Sequence, residues 1–322
     1  MRRRATIARW TGVGSIADLK SSVGHILEAE GLRGDVERVG DSLIVSGPEP
    51  ARACSVFRHL PGVSWLAAGY AVHGTAERSS AIAELAGRYL RRGRTFSVQA
   101  EVTTGTPASD LEGALISQIL DVKRARVSSS SPQVMFRAAL DDEGGAVGVE
   151  LSHGPGGVPT GKDGATCLIS GGRHSSVMAW QAVLMGYRVR LVHASEGDDS
   201  LLAAASLYSE LSFRSDPRWL SLLVVGGGEV VEALRNVVPK RRDPVFCGLR
   251  APASGAAWLA QAGAESPLYL LSEEWFDFEF QKLGVREWRS APERSVRGPT
   301  KAVVRSFGGR RADVSEVLDG LS

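Results

Sequence analysis

The sequence predicts an α/β protein in which two small α+β domains precede a longer domain built on a parallel sheet. Strands and helices are mixed irregularly up to about residue 153, whereas strand-then-helix units repeat from about residue 160 onward. Such repeats build a parallel sheet that is covered by helices on both faces and binds ligands at the carboxyl ends of its strands. Between the two parts, residues 154–157 are all glycine or proline, which continue neither helix nor strand and therefore predict a linker.

Residues 1–75 are predicted to form a ferredoxin-like domain. Apolar residues from Ile16 to Leu27 recur at helical spacing, and Gly31 and Gly34 end that helix. The predicted elements are strands at 4–10, 41–45 and 63–72 and helices at 15–30 and 50–60. This strand-helix-strand-helix-strand order is typical of a ferredoxin-like layer.

Residues 76–153 are predicted to form a second α+β domain. Apolar and polar residues alternate from Phe96 to Ala100, which predicts a strand, and Asp110 is expected to cap a helix. The predicted elements are helices at 78–91 and 110–120 and strands at 95–102, 134–140 and 146–151, the last two joined by a hairpin turn at 142–145.

Residues 154–322 carry the repeated strand-then-helix pattern. The predicted strands lie at 166–169, 188–193, 219–225 and 244–247, and the helices that follow them at 175–185, 200–211, 229–237 and 255–262.

The net charge of the chain is only +2, so the overall charge does not indicate nucleic-acid binding. Only local clusters can support such binding, and each of them could equally be a solvated face. The candidate RNA-binding residues are Arg88, Arg91, Arg92 and Arg94, together with Lys123, Arg124 and Arg126. Further basic clusters lie at 240–242 and between 286 and 311.

The three cysteines, Cys54, Cys167 and Cys247, lie far apart in the chain and form no CxxC pair. This spacing argues against a disulfide framework or a zinc site, and we expect buried structural thiols. No apolar run approaches the roughly 18 residues of a membrane span. No secretory apolar segment follows the basic N-terminus, so we expect a cytoplasmic protein.

The most informative segment is the loop Ser170–Ser175 (SGGRHS), which follows an apolar strand and leads at once into a helix. Such a turn directs several backbone N–H groups at one point, where the positive end of the helix dipole also favours phosphate oxygens. Gly171 and Gly172 allow close approach of a ligand, and the hydroxyls of Ser170 and Ser175 can donate to it. The alternative is a tight strand-to-helix turn that binds nothing.

This loop resembles the SGGxDS motif of the PP-loop ATP pyrophosphatases. The longer segment 156–175 resembles the linker and PP-loop of the tRNA 4-thiouridine synthetases (ThiI), and 96–102 resembles the first strand of their THUMP domain. Weaker similarities lie at 61–64, at Gly248 with the helix that follows it, and at 271–284. The resemblance implies a ferredoxin-like domain over 1–75, a THUMP domain over 76–153 and a PP-loop domain, of the adenine nucleotide alpha hydrolase type, over 154–322.

The resemblance also implies a function. In that family the N-terminal domains hold the acceptor arm of tRNA, the PP-loop domain adenylates a uridine with ATP and Mg²⁺, and a cysteine persulfide delivers sulfur. The residues here that would contact ATP are Leu168, Ile169, Ser170, Gly171, Gly172, Arg173, His174, Ser175, His193, Ala194 and Gly248.

Three departures from the family pattern favour a degenerate enzyme without confident catalytic residues. His174 replaces the acidic residue of SGGxDS, and a carboxylate, unlike an imidazole, suits Mg²⁺. Leu249 and Ala257 replace an acidic residue and a glutamine. No cysteine follows Gly284, and no rhodanese domain is expected, so the soft nucleophile of sulfur transfer is missing.

Three hypotheses follow. The protein is a tRNA-binding protein with a degenerate ATP site, an active sulfurtransferase that takes its sulfur from a partner or from sulfide, or an RNA-docking scaffold for a separate catalytic subunit. The sequence leaves monomer and homodimer open. It disfavours a dinucleotide site at Gly226–Gly228, since no third glycine follows at the required spacing. For the aromatic segment 269–280 it favours a helix packed on the sheet over an RNA-stacking surface.

Overall fold

The computed structural model describes two compact units, Met1–Pro159 and Thr160–Ser322, here called the N-terminal and C-terminal units. The residues described are 3–12, 14–47, 49–103, 105–159, 163–170, 172–195, 198–226, 230–237, 243–248, 256–257, 259–261, 268–270 and 305–308. Within these ranges, no helix is long and apolar enough to cross a membrane.

The N-terminal unit contains four helices and eight strands in the residues described. In chain order they are β1 (Arg4–Trp10), α1 (Ile16–Ala29), β2 (Asp35–Val39), β3 (Ser42–Ser46), α2 (Pro50–Phe57), β4 (Val63–Val72), α3 (Gly74–Tyr89), β5 (Thr95–Val102), α4 (Ala108–Val122), β6 (Arg126–Val127), β7 (Val134–Leu140) and β8 (Gly145–His153). Strands β1, β4, β5 and β7 begin and end at the predicted residues. The residues at the starts of two helices show why those helices begin where they do. Ser15 caps α1 through the Asp18 amide, whereas Pro107, not the predicted Asp110, occupies the cap position of α4.

All eight strands form one sheet in the order β2-β3-β1-β4-β8-β7-β5-β6. The antiparallel pair β4–β8 therefore joins the strands of the predicted ferredoxin-like and THUMP domains, and the boundary at residue 75 stays a prediction. Glycine is required at this pair, because a Cβ on Gly69 would lie 2.0 Å from the carbonyl oxygen of Val147.

The helices of the N-terminal unit cover the sheet in two pairs. Helices α1 and α2 enclose one apolar cluster with β1, β3 and β4, and α3 and α4 enclose a second with β4, β5, β7 and β8. Leu66 and Ala68 belong to the first cluster and Val72 to the second. Because alternate residues of a strand point to the same side, both helix pairs lie on one face of the sheet.

The C-terminal unit is built on a second, mostly parallel sheet. Its elements are β9 (Gly164–Ile169), α5 (Arg173–Leu184), β10 (Arg188–Ser195), α6 (Asp198–Arg214), a 3-10 turn (Pro217–Trp219), β11 (Leu220–Gly226), α7 (Val230–Val237), β12 (Val245–Cys247), β13 (Leu268–Leu270) and β14 (Arg305–Gly308). The strand order is β13-β12-β9-β10-β11-β14, and only β14 runs antiparallel to its neighbour among these strands.

Apolar clusters lie on both faces of this sheet. Helices α5 and α6 pack on one face, and Leu234 of α7 packs on the other. The predicted α/β fold, with α+β domains followed by a parallel-sheet domain, is confirmed. Of the predicted helix 255–262, the described residues 256–257 and 259–261 are helical.

Candidate functional site

The predicted phosphate loop lies at the point where the strand order of the C-terminal sheet reverses. From β9 the chain proceeds to β10 and β11 on one side, and then returns to place β12 on the other side of β9. In open α/β sheets, ligands bind in the crevice that such a reversal creates outside the carboxyl ends of the strands. Ser170 follows β9 directly and Gly248 follows β12 directly, so both lie at this crevice.

A single buried hydroxyl links the ends of these two strands. The Oγ of Ser175 accepts a hydrogen bond from the backbone amide of Ser170 (2.8 Å) and donates one to the carbonyl oxygen of Gly248 (2.8 Å). The Oγ atoms of Ser170 and Ser175 lie 3.1 Å apart. Because the only proton of Ser175 Oγ is committed to Gly248, Ser170 is the donor between the two hydroxyls. In this conformation the Ser175 hydroxyl fastens the loop to β12.

Gly248 must be glycine for the two backbones to meet. A Cβ at this position would lie 2.4 Å from the Cα of Ser175 and 2.9 Å from its amide nitrogen, distances that folded proteins essentially never show. The Gly248 amide donates to the carbonyl oxygen of Leu168 (3.0 Å). Gly172 has more room, since its nearest neighbour would be Ser170 Oγ at 3.5 Å. The site therefore combines one tightly packed glycine with one open glycine.

The neighbouring strand ends are held by a buried histidine. The Nδ1 of His193, on β10, lies 3.1 Å from the carbonyl oxygen of Ile169, on β9. A carbonyl oxygen only accepts, so Nδ1 carries the proton of this hydrogen bond. Leu168 and Ile169 point to opposite faces, into separate apolar clusters, and Ala194 is half-buried. These residues present backbone, rather than side chains, to the crevice.

The first turn of α5 carries His174 on an exposed position and no acidic residue. The partial positive charge of a helix N-terminus attracts anions, and a carboxylate at the same place would compete with them. Gly171 and the side chain of Arg173 lie outside the described residues. In the part of the chain that the structure describes, no three His, Cys, Asp or Glu side chains form a metal-binding group. The start of α5 thus suits an anion better than a divalent cation.

In the N-terminal unit, the structure brings the two predicted basic clusters together. The Gly93 amide donates to the carbonyl oxygen of Arg124 (3.2 Å), and the Arg126 amide donates to that of Arg94 (3.1 Å). The segments 91–94 and 123–126 therefore run side by side at the β6 edge of the sheet. We call this surface the basic edge; its residues are Arg91, Arg92, Arg94, Lys123, Arg124 and Arg126, all exposed except the half-buried Lys123. The other predicted residue of the first cluster, Arg88, is exposed on α3.

The positive charge of the basic edge is not compensated locally. No ion pair between described residues includes Arg91, Arg92, Arg94, Arg124 or Arg126. Their charges therefore add to one local field that attracts polyanions. Leu120, Val122 and Val127 are exposed beside them, at 42%, 46% and 48% of their accessible surface.

All three cysteines are buried thiols, as predicted. Burial raises the pKa of Cys54 to about 11, against a smaller lowering by its hydrogen bond with Thr6. Burial also raises the pKa of Cys167. A thiol must lose its proton to act as a nucleophile, so neither of these two is prepared for sulfur transfer. Cys247 is buried at the end of β12, next to the crevice.

Several predicted features lie outside the described residues: Leu249, the basic residues 240–242, the glycines 227–228, residues 271–284, and most of the segment 286–311. Tyr269, at the start of the predicted aromatic helix, lies instead on strand β13. Ala257, which aligns with the family's glutamine, is helical and exposed. Sequence reasoning missed the link between Ser175 and Gly248. The available signal was a glycine placed directly after the short apolar strand 245–247, where a parallel sheet places its ligand-binding loops.

Together, the fold and the site define a class: an α+β unit with a basic sheet edge, followed by an α/β unit with a glycine-containing loop at its strand-order reversal. No family model matches the chain. The chain is 26% identical over 236 residues to a probable tRNA sulfurtransferase of Halobacterium salinarum, covering 70% of this chain and 60% of the relative. It is 25% identical over 162 residues to a probable tRNA sulfurtransferase of Bacillus velezensis, covering 47% of this chain and 39% of the relative.

Two solved structures share the fold. A protein of Pyrococcus horikoshii superposes with a TM-score of 0.71 at 18% identity, over 87% of this chain and 99% of that one. A 4-thiouridine synthetase, solved in complex with RNA and with bound ATP, superposes with a TM-score of 0.56 at 20% identity. The superposition covers 75% of this chain and 65% of that one. The predicted resemblance to the 4-thiouridine synthetases (ThiI) is confirmed. The chain spans 60% of the length of the Halobacterium relative.

We predict that Ser175→Ala lowers the free energy of unfolding by about 1–3 kcal/mol, because it leaves the buried carbonyl of Gly248 and the amide of Ser170 without their present partner. Urea unfolding monitored by tryptophan fluorescence measures the change. Ser206→Ala is the matched control, since its half-buried hydroxyl donates only to Leu202 of its own helix (2.8 Å), and we expect a change within about 0.5 kcal/mol. Equal unfolding midpoints for the two variants would show that the link carries no stability.

Proposed function

We propose that this protein takes part in tRNA modification of the 4-thiouridine type, with tRNA bound by the N-terminal unit and ATP by the C-terminal unit. The observation that carries the proposal is the extent of the similarity to tRNA sulfurtransferases. It takes in 70% of the chain and is longer than either unit, so it includes residues of both. The proposal places the protein in the cytoplasm, where it would meet its tRNA.

The crevice after β9 and β12 fits a nucleotide. The amides at the start of α5 would face the phosphates, with Ser170, Gly171, Gly172, Arg173 and His174 around them. The backbones of Leu168, Ile169, His193, Ala194 and Gly248 would line the rest of the site. Bound ATP would supply an adenylyl group that activates a uridine oxygen. The described residues of the loop include no carboxylate for Mg²⁺, so any Mg²⁺ would be held chiefly by the phosphates. The solved 4-thiouridine synthetase with bound ATP supports this assignment.

The basic edge supports RNA as the partner of the N-terminal unit. Arginine side chains on two adjacent segments give it several phosphate contacts at once, and phosphate contacts supply most of the affinity in non-specific nucleic-acid binding. The solved relative is also a complex with RNA.

The buried thiols favour a chain that does not transfer sulfur alone. Sulfur would come from a partner protein or from free sulfide, or a separate subunit would catalyse the reaction while this chain docks the RNA. A homodimer is compatible with each of these arrangements.

We predict that ATP with Mg²⁺ binds the wild-type protein and that Gly248→Ala weakens this binding at least about tenfold. The added methyl group forces Ser175 and the loop away from β12. Isothermal titration calorimetry measures the dissociation constants. Gly164→Ala is the control: it lies at the opposite end of β9, and its Cβ would meet only Asp243, at an ordinary 3.5 Å. Undetectable heat with wild-type protein, or equal weakening in both variants, would contradict the assignment of the crevice.

We predict that replacing Arg91, Arg92 and Arg94 together with glutamine weakens tRNA binding at least about tenfold and makes the affinity depend less steeply on salt, because phosphate contacts are lost. Fluorescence anisotropy with labelled tRNA at several salt concentrations measures both quantities. Replacing Lys20, Arg33 and Arg38 instead removes the same charge from exposed positions outside the basic edge. The basic edge is not the RNA surface if the two triple variants bind tRNA equally.

We predict that the pure protein, treated first with a persulfide donor and then freed of it, produces no 4-thiouridine from tRNA, ATP and Mg²⁺, because Cys54 and Cys167 are buried with raised pKa values and Cys247 is also buried, so that none of them takes up sulfur and passes it on. Nucleoside chromatography with mass detection measures the product. Adding sulfide then separates the hypotheses: thiolation with sulfide indicates an active adenylating enzyme that lacks its donor. Product from the pretreated protein, before sulfide is added, would refute this prediction.

A further inference from the structure

A cavity lies at one end of the N-terminal sheet, where strands β4, β5 and β7 end and helices α3 and α4 begin. Its volume is about 350 Å³, which is within the range of ligand pockets. The apolar side chains that line it are Val72, Val102, Leu111, Ala114 and Leu140. They belong to the last residues of the three strands and to the first two turns of α4, and together they give the cavity an apolar floor.

The charged side chains that line the cavity are mostly acidic. Asp110 belongs to the first turn of α4, and Asp141 and Asp142 belong to the turn between β7 and β8. Arg78 is the one cation of the described lining, and it donates to the hydroxyl of Thr75 (3.4 Å). The described lining thus carries three carboxylates against one guanidinium, which is a local excess of negative charge.

The negative charge extends over the surface around the cavity and is not compensated locally. Glu77 and Glu143 are exposed, and each is next in the chain to a residue of the lining. No ion pair between described residues includes either of these glutamates or any of the three aspartates. A field of this sign repels the phosphates of RNA and attracts cations.

The acidic cavity lies one strand length away from the basic edge. Strand β5 begins at Thr95, next to the segment 91–94, and ends at Val102, which lines the cavity. Seven residue steps of roughly 3.3 Å separate these two ends by about 23 Å. This distance exceeds the roughly 8 Å over which physiological salt screens a charge. The two charged surfaces therefore act separately, and a polyanion on the basic edge leaves the cavity accessible.

We propose that the acidic cavity docks a basic segment of a partner protein, and that one lysine or arginine side chain of that segment enters it. The aliphatic stem of this side chain lies along the apolar floor, and its cation meets Asp110 and Asp142. Asp141 is less available, because its Oδ1 already accepts hydrogen bonds from the amides of Glu143 (3.0 Å) and Gly144 (2.8 Å) and so holds the turn.

The extent of the negative surface favours a protein over a free organic cation as the occupant. A polyamine that fills the cavity neutralises the aspartates but leaves Glu77 and Glu143, outside the lining, without a counter-charge. A protein segment with further basic residues reaches them as well. The proposal is independent of the proposed binding of RNA and ATP.

The experiment uses the full chain and three probes: a short peptide of alternating lysine and serine, the same peptide with glutamine in place of lysine, and spermidine. Isothermal titration calorimetry at low salt measures each affinity. We expect the lysine peptide to bind at least about tenfold more tightly than the glutamine peptide, because a hydrogen bond to a charged group supplies a difference of this order. Spermidine should bind more weakly than the lysine peptide.

Two variants test the cavity by separate means. Asp110→Asn with Asp142→Asn removes the carboxylates, whereas Ala114→Leu fills the cavity and leaves every charge in place. Each variant should lose the preference for lysine. Glu28→Gln with Glu37→Gln removes two exposed carboxylates outside the cavity and should keep the preference. Thermal unfolding checks that each variant is folded, and either test variant decides alone if the other is not.

Each outcome decides for or against the docking of a basic segment. A wild-type protein that binds both peptides equally, or binds neither, overturns the proposal, and so do folded test variants that keep the preference. Tighter binding of spermidine than of the lysine peptide identifies a free polyamine as the occupant and overturns the docking of a protein. Loss of the preference in the aspartate variant alone shows attraction by surface charge without entry into the cavity, which also overturns it.

Discussion

The hydrogen bonds of the Ser175 hydroxyl hold together the ends of β9 and β12, two strands that are neighbours in the sheet but far apart in the chain. β12 is only three residues long and returns to the sheet after β10 and β11 have been placed. Its position next to the loop therefore depends on few contacts, among them Ser175 to Gly248 and the Gly248 amide to Leu168. Because a Cβ at residue 248 would prevent this contact, a glycine and a buried serine together define the crevice.

In the proposed nucleotide site, the described residues are suited to hold an anion. The residues that shape the crevice are backbone groups, a structural hydroxyl and a buried imidazole whose Nδ1 is committed to Ile169. None of them is a carboxylate that could hold a metal ion, and His174 stands exposed where the related motif has an acidic residue. Oriented amides suffice to bind phosphate, whereas turnover requires a metal or a nucleophile in addition.

The sequence predicted the parts of the structure that depend on local patterns and missed those that depend on distant contacts. Strands β1, β4, β5 and β7 were predictable because apolar residues mark their buried faces. β2 was not, since Asp35, Glu37 and Arg38 give it the charged composition of an edge strand, and β6 has only two residues. The loop 170–175 was recognisable from its glycines. Its link to residue 248, and the meeting of segments 91–94 and 123–126, arise from the register of strands that are far apart in the chain.

The pairing of β4 with β8 makes one continuous sheet of the N-terminal unit, across the predicted boundary at residue 75. Gly69 faces the Val147 carbonyl so closely that no side chain fits, and the two strands pair from end to end. The helix pairs on either side of this seam are therefore fixed at the spacing that one continuous sheet imposes. A groove between them, lined by Arg4 of β1, Tyr70 of β4 and Arg88 of α3, follows from that spacing. A sheet built from two separate halves would give no reason for Arg4 and Arg88 to line the same cavity.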